Sequence, residues 1–181
     1  MTTHHTPLAA VSIEPADGGW TLIFVRELRH PPQKVWAALT EPGQVARWAP
    51  FETDRDLSTK GDAVLTMIDG NHKVESSATV TRAEAPALLE YRWGDDRLRW
   101  ELTPTAGGTR LTLSHTHEQR DWLPKLAAGW HICLDVAERL LDGEPVEAIR
   151  GSAAREHGWD ELDREYAEAT GLPYSPMPPS E

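Results

Sequence analysis

Residues 121–143, DWLPKLAAGWHICLDVAERLLDG, are the longest run in the chain with a clean helical period. Leu123, Leu126, Trp130, Cys133, Leu134, Ala137 and Leu141 recur at steps of three and four and form one apolar stripe. Lys125, His131, Asp135, Glu138, Arg139 and Asp142 fall mostly off it. Asp121 is placed to cap the first turn, Pro124 sits where a missing N–H costs little, and Gly143 suits a left-handed stop. A helix this apolar on one side is stable only against a large apolar surface, and what precedes it reads as strands.

Working upstream, alternation over 20–28 puts Trp20, Leu22, Phe24 and Leu28 on one face of a strand. Pro31 and Pro32 end it, because proline cannot donate to a ladder but can begin a helix. Residues 33–40, with Val35, Trp36 and Leu39 on one face, and 44–48 read as two short helices. From Phe51 onward come short runs at 51–57, 63–68, 73–84, 88–93, 97–103 and 109–118, separated by turn residues such as Asp69-Gly70-Asn71 and Gly107-Gly108. Six strands in tight succession make an antiparallel meander. With the first strand the sheet has about seven, enough to coil because strands twist.

Parity assigns the faces. Leu98, Trp100 and Leu102 oppose Arg97, Arg99 and Glu101, while Leu111, Leu113, His115 and His117 oppose Arg110, Thr112, Ser114 and Thr116. A sheet apolar on one side and charged on the other is covered once, and helix 121–143 is the natural cover.

Downstream, a polar link leads to helix 158–170, whose narrow stripe of Trp159, Leu162, Tyr166 and Ala169 is expected to pack on the outside of the domain or on a partner, a second copy included. Residues 173–181, with four prolines, read as a disordered tail. The division is therefore a loose arm at 1–19 with room for a short strand at 8–13, a main domain at 20–143, a helical extension at 144–172 and the tail.

Composition narrows the function classes. A net charge of −11 disfavours nucleic acid and anionic membranes, both of which need a basic face. The single Cys133 excludes an intrachain disulfide and a Cys-rich metal site and fits a reducing cytoplasm. No stretch approaches the roughly 20 apolar residues of a membrane span, so no membrane insertion is expected. The chain carries no G-x-S-x-G, no H-E-x-x-H, no phosphate-binding glycine loop and no dinucleotide fingerprint. No metal, cofactor or catalytic residue is assigned.

The order strand, two short helices, six-strand meander, long helix is the helix-grip arrangement, an α+β fold. Arg26-Glu27-Leu28 followed by Pro31, Val35-Trp36, Thr40-Glu41-Pro42 and Trp48 resembles the opening of the START-like (SRPBCC) superfamily. The branch named after the activator of heat-shock-protein ATPase is the most similar. Gly107-Gly108-Thr109-Arg110-Leu111-Thr112-Leu113, Gly129-Trp130 and the Trp159…Tyr166 helix resemble that branch too. The resemblance covers about residues 20–170. It implies a curled sheet gripping a helix around a cavity that often holds an apolar ligand, but not a particular activity.

The expected cavity lining is Met67, Tyr91, Trp93, Trp100, Leu113, His115, His117, Trp130 and Cys133, with space left near Gly129, which has no side chain to fill it. For any one of these, plain core is the competing reading, and Cys133 behaves as a small hydrophobe. His115 and His117 suit either acid–base work or the polar mouth of a cavity. Arg26 is a candidate buried charge, set against a strand-end arginine paired with a Glu. The functional expectation is a protein that binds an apolar small molecule. The alternatives are an enzyme of the cyclase or hydratase type and a protein-interaction module.

Overall fold

The structure, a computed structural model, describes residues 6–178. The outer parts of the expected arm and tail, 1–5 and 179–181, lie outside the described residues. In chain order the elements are β1 (Ala10–Ala16), β2 (Gly19–Leu28), α1 (Pro32–Thr40), α2 (Pro42–Val45), β3 (Phe51–Thr53), β4 (Gly61–Asp69), β5 (His72–Glu84), β6 (Leu88–Trp93), β7 (Asp96–Thr105), β8 (Gly108–His117), a 3₁₀ turn (Arg120–Trp122), α3 (Leu123–Leu141), α4 (Ala153–Glu156) and α5 (Trp159–Thr170).

All strands pair antiparallel in one eight-stranded sheet of order β1-β2-β8-β7-β6-β5-β4-β3. The strand beyond the expected seven is β1, which runs along β2 from Ala10↔Val25 to Ala16↔Gly19. Register stacks the apolar residues into rows across the concave face. One row is Leu89, Trp100, Leu113 and Phe24, and the next is Tyr91, Leu98, His115 and Leu22. Arg97, Arg99, Ser114 and Thr116 fill the opposite face, as alternation requires. At the β7–β8 turn Gly108 has φ +149°, and a Cβ there would meet the Leu28 carbonyl oxygen at 2.1 Å, so only glycine fits.

Helix α3 lies on the concave face with Leu123, Ala127, Trp130, Leu134, Ala137 and Leu141 buried. Its start differs from the expected cap. The 3₁₀ turn precedes it, Trp122 holds the N-cap position without a side-chain hydrogen bond, and Asp121 takes no part. Helix α5 packs on α3 and β1 of its own chain, with the Tyr166 ring 6.1 Å from Phe24. Leu162 and Tyr166 are fully buried there and cannot serve a contact with a second copy. Gly129 faces α5 rather than the sheet. A Cβ on it would meet only Trp159 Nε1, at 3.9 Å, because one residue of helix turns it about 100° away from Trp130.

The described part of the tail is tied down. Lys125 Nζ donates to the Ser175 carbonyl at 2.6 Å, and Arg155 Nη1 to that of Pro178 at 2.7 Å.

Candidate functional site

The expected lining residues divide into two groups. Trp100, Trp130, Tyr91, Leu113, His115 and Cys133 are all core. Trp48, Trp100 and Trp130 stand edge to face in a row, with centroids 6.1 and 5.3 Å apart, in the space between sheet and helix where an opening was expected. Trp100 Nε1 donates to Tyr91 Oη at 3.1 Å, so the buried indole N–H has its acceptor without a guest. Burial raises the Tyr91 hydroxyl well above its usual range and pushes the Cys133 thiol up to about 12, which leaves that thiol inert.

Met67, Trp93 and His117 form the second group, on the part of the concave face that α3 leaves uncovered. Met67 is 41% exposed and lies opposite Phe51 on one side and Val74, 60% exposed, on the other. The Phe51 ring is 4.9 Å from Trp93. Trp93 pairs with Asp96 across the β6–β7 turn. The result is a continuous strip, Val74, Met67, Phe51, Trp93, Asp96 and His117, apolar at one end and ionic at the other.

The ionic end is one carboxylate held by two histidines. His115 Nε2 lies 2.7 Å from Asp96 Oδ2, and His117 Nδ1 lies 2.9 Å from Asp96 Oδ1. Trp130 Nε1 donates to His115 Nδ1 at 2.9 Å. An indole can only donate, so Nδ1 of His115 carries the lone pair and Nε2 carries the proton it gives to Asp96. Both nitrogens of His115 are thus used inside the protein. His117 donates from Nδ1, which leaves Nε2 as an acceptor with no described partner on a side chain that is 22% exposed. Burial works against the ionised Asp96, but the hydrogen bonds it accepts from His115 and then His117 outweigh it and hold its carboxyl below the usual range. Among the described residues no three His, Cys, Asp or Glu are gathered to hold a metal.

Asp96 escaped the sequence reading because it sits in a Gly94-Asp95-Asp96 turn, where an acid needs no further reason to occur. A second polar network was legible only at Arg26. Arg26 donates to Asp135 and Glu138 at 2.6 Å each, as the paired-arginine reading expected. His131 Nδ1 lies 2.7 Å from Tyr166 Oη and Nε2 lies 2.9 Å from Thr6 Oγ1. Lys125 Nζ donates to Asp163 at 2.7 Å. Burial pushes the Tyr166 hydroxyl up to about 12, against the backbone N–H of Ala9 that it accepts.

A bent antiparallel sheet closed around one long helix defines a helix-grip protein of the START-like class. The family described as Activator of Hsp90 ATPase homolog 1-like protein matches residues 29–142, and the chain belongs to it. Solved structures share the fold. CalU16 from Micromonospora echinospora is 22% identical over 90% of this chain and 94% of its own, with a TM-score of 0.65. A conserved protein of unknown function from Enterococcus faecalis is 17% identical, covers 88% and 89%, and has a TM-score of 0.66. The AHSA1-like protein from Aeromonas hydrophila is 22% identical over 68% and 92%, with a TM-score of 0.58. Comparison with the curated proteins gives no match. Among the described residues no helix is long and apolar enough to cross a membrane.

Proposed function

We propose that this protein binds an apolar or amphipathic small molecule on the open strip of the concave face, with Trp93 and Met67 against its body and His117 Nε2 accepting from its polar group. One observation carries this reading. The face that elsewhere is sealed by indoles leaves Met67 and Val74 exposed beside a half-buried tryptophan and a preorganised Asp96–His117 pair. Apolar contact supplies affinity in such a site, and one fixed polar group supplies orientation. A cytoplasmic location belongs to the same reading and rests on the single cysteine.

Tryptophan emission titrated with a panel of apolar and aromatic alcohols tests it, because Trp93 lies in the strip. Met67→Glu, followed by emission, and Trp93→Ala, followed by equilibrium dialysis, are expected to weaken the tightest binder at least about tenfold. Binding left intact by both changes would refute the placement.

A second reading has its own support. A carboxylate fixing Nδ1–H of a histidine leaves Nε2 as a general base, the arrangement used where a proton must be taken from a hydroxyl or an acidic carbon. The enzyme alternative therefore centres on His117, not on His115. It requires that turnover of any substrate found be lost in His117→Ala and retained in His115→Gln.

A further inference from the structure

Helix α3 has a second, partly buried face. At 100° per residue, Ile132, Asp135, Val136 and Arg139 lie opposite Trp130, Leu134, Ala137 and Leu141, which meet the sheet. Helix α5 covers the first half of this outer face, where Lys125 meets Asp163 and Gly129 meets Trp159. The second half is the floor of a cleft of about 420 Å³ walled by Arg26 of β2 and Arg29 just after it, by Ile149, and by His157 after α4.

The floor is apolar, with Ile132 and Val136 buried and Ile149 half-buried beside them. The charges of the wall balance, Arg26, Arg29 and Arg139 against Asp135, Glu138 and Asp142, in a chain whose net charge is −11. The acids are already committed. Asp135 and Glu138 each hold Arg26 at 2.6 Å, and Asp142 meets His30 at 2.7 Å. Arg139 turns to Glu144 outside the cleft. Arg29 has no described acid. A guest therefore meets an apolar floor, carboxylates already engaged by donors of the protein, and one guanidinium with its donors to offer.

We propose that this cleft is a binding site for an amphipathic carboxylate, its hydrocarbon or aromatic body on Ile132, Val136 and Ile149 and its carboxylate on Arg29. It is separate from the concave strip, since α3 stands between them. The test uses the full-length chain with methyl-labelled Ile and Val, titrated with octanoate and with octan-1-ol. Octanoate is expected to shift the methyl resonances of Ile132, Val136 and Ile149. Arg29→Glu is expected to weaken octanoate about tenfold, the size of a lost hydrogen bond to a charged group, while leaving octan-1-ol unchanged. Arg29 is exposed, so this variant keeps the fold. Trp93→Ala is expected to leave octanoate binding as it was. The proposal is overturned if those methyls do not respond, if Arg29→Glu binds octanoate as the parent does, or if Trp93→Ala abolishes the binding, which would place octanoate on the concave strip.

Discussion

His115 shows how little freedom a buried polar side chain keeps. It is fully buried, takes a hydrogen bond from Trp130 and gives one to Asp96, so its tautomer is set by its neighbours. Trp130→Phe keeps a ring against Trp100 but removes the only donor to His115 Nδ1 among the described residues. An orphaned buried acceptor costs about 1–3 kcal/mol, and a urea titration should find that loss. A variant as stable as the parent would mean that His115 had turned over or gained another partner. Asp96 adds a pH dependence. Its carboxyl is held below the usual range, so its stabilising contribution is complete above the unfolded-state value and disappears as acid takes the pH down through the folded-state value. Unfolding free energies measured from about pH 6 down to about pH 2 should fall less steeply in Asp96→Asn than in the parent. Equal slopes would remove the carboxylate from the network. Strand parity put His115 and His117 on the inner face from sequence. It could not supply Asp96 or the Trp130 N–H, because those partners come from other elements and meet only through the coil of the sheet.

Helix α3 has two covers, the sheet on one side and α5 on the other. The apolar stripe of α3 was legible because it keeps one period, and it marks the side that meets the sheet. Lys125 and His131 fall off that stripe and are nevertheless buried, because α5 covers them. Nothing in their own segment signals this. The cue lay about 38 residues away, in the Leu162 and Tyr166 stripe of α5 and in Asp163 beside it. Burial pushes the Asp163 carboxyl up, and the Lys125 hydrogen bond and charge pull it back only in part. A buried pair of this kind is a weak source of stability when intact but is expensive to break from one side. Lys125→Met should therefore cost about 3–5 kcal/mol in denaturant unfolding, and adding Asp163→Leu should restore most of it. A double variant no better than the single one would show that the ammonium matters through Ser175 and the rings of Trp159 and Tyr174, not through Asp163.

For the molecule as a whole, the question is where the cooperative unit ends. The family match stops at Asp142, and α5 lies beyond it. Packing draws a different boundary. Leu162 and Tyr166 are fully buried against α3 and Phe24, Tyr166 accepts from Ala9 at the entry to β1, and Arg150 donates to the carbonyls of Ala46 and Ala49 beyond α2. Each large apolar side chain so buried contributes about 1.5–3 kcal/mol. Loss of α5 would also strand Lys125 and His131 without Asp163 and Tyr166. Together these losses approach the whole stability of an ordinary domain, about 5–15 kcal/mol. A chain ended at Asp142 is therefore expected to lose its sharp thermal transition and to bind a dye specific for exposed apolar surface, although it retains every residue that the family match spans. A truncated chain that unfolds as cooperatively as the parent and within a few degrees of it would make α5 an appendage.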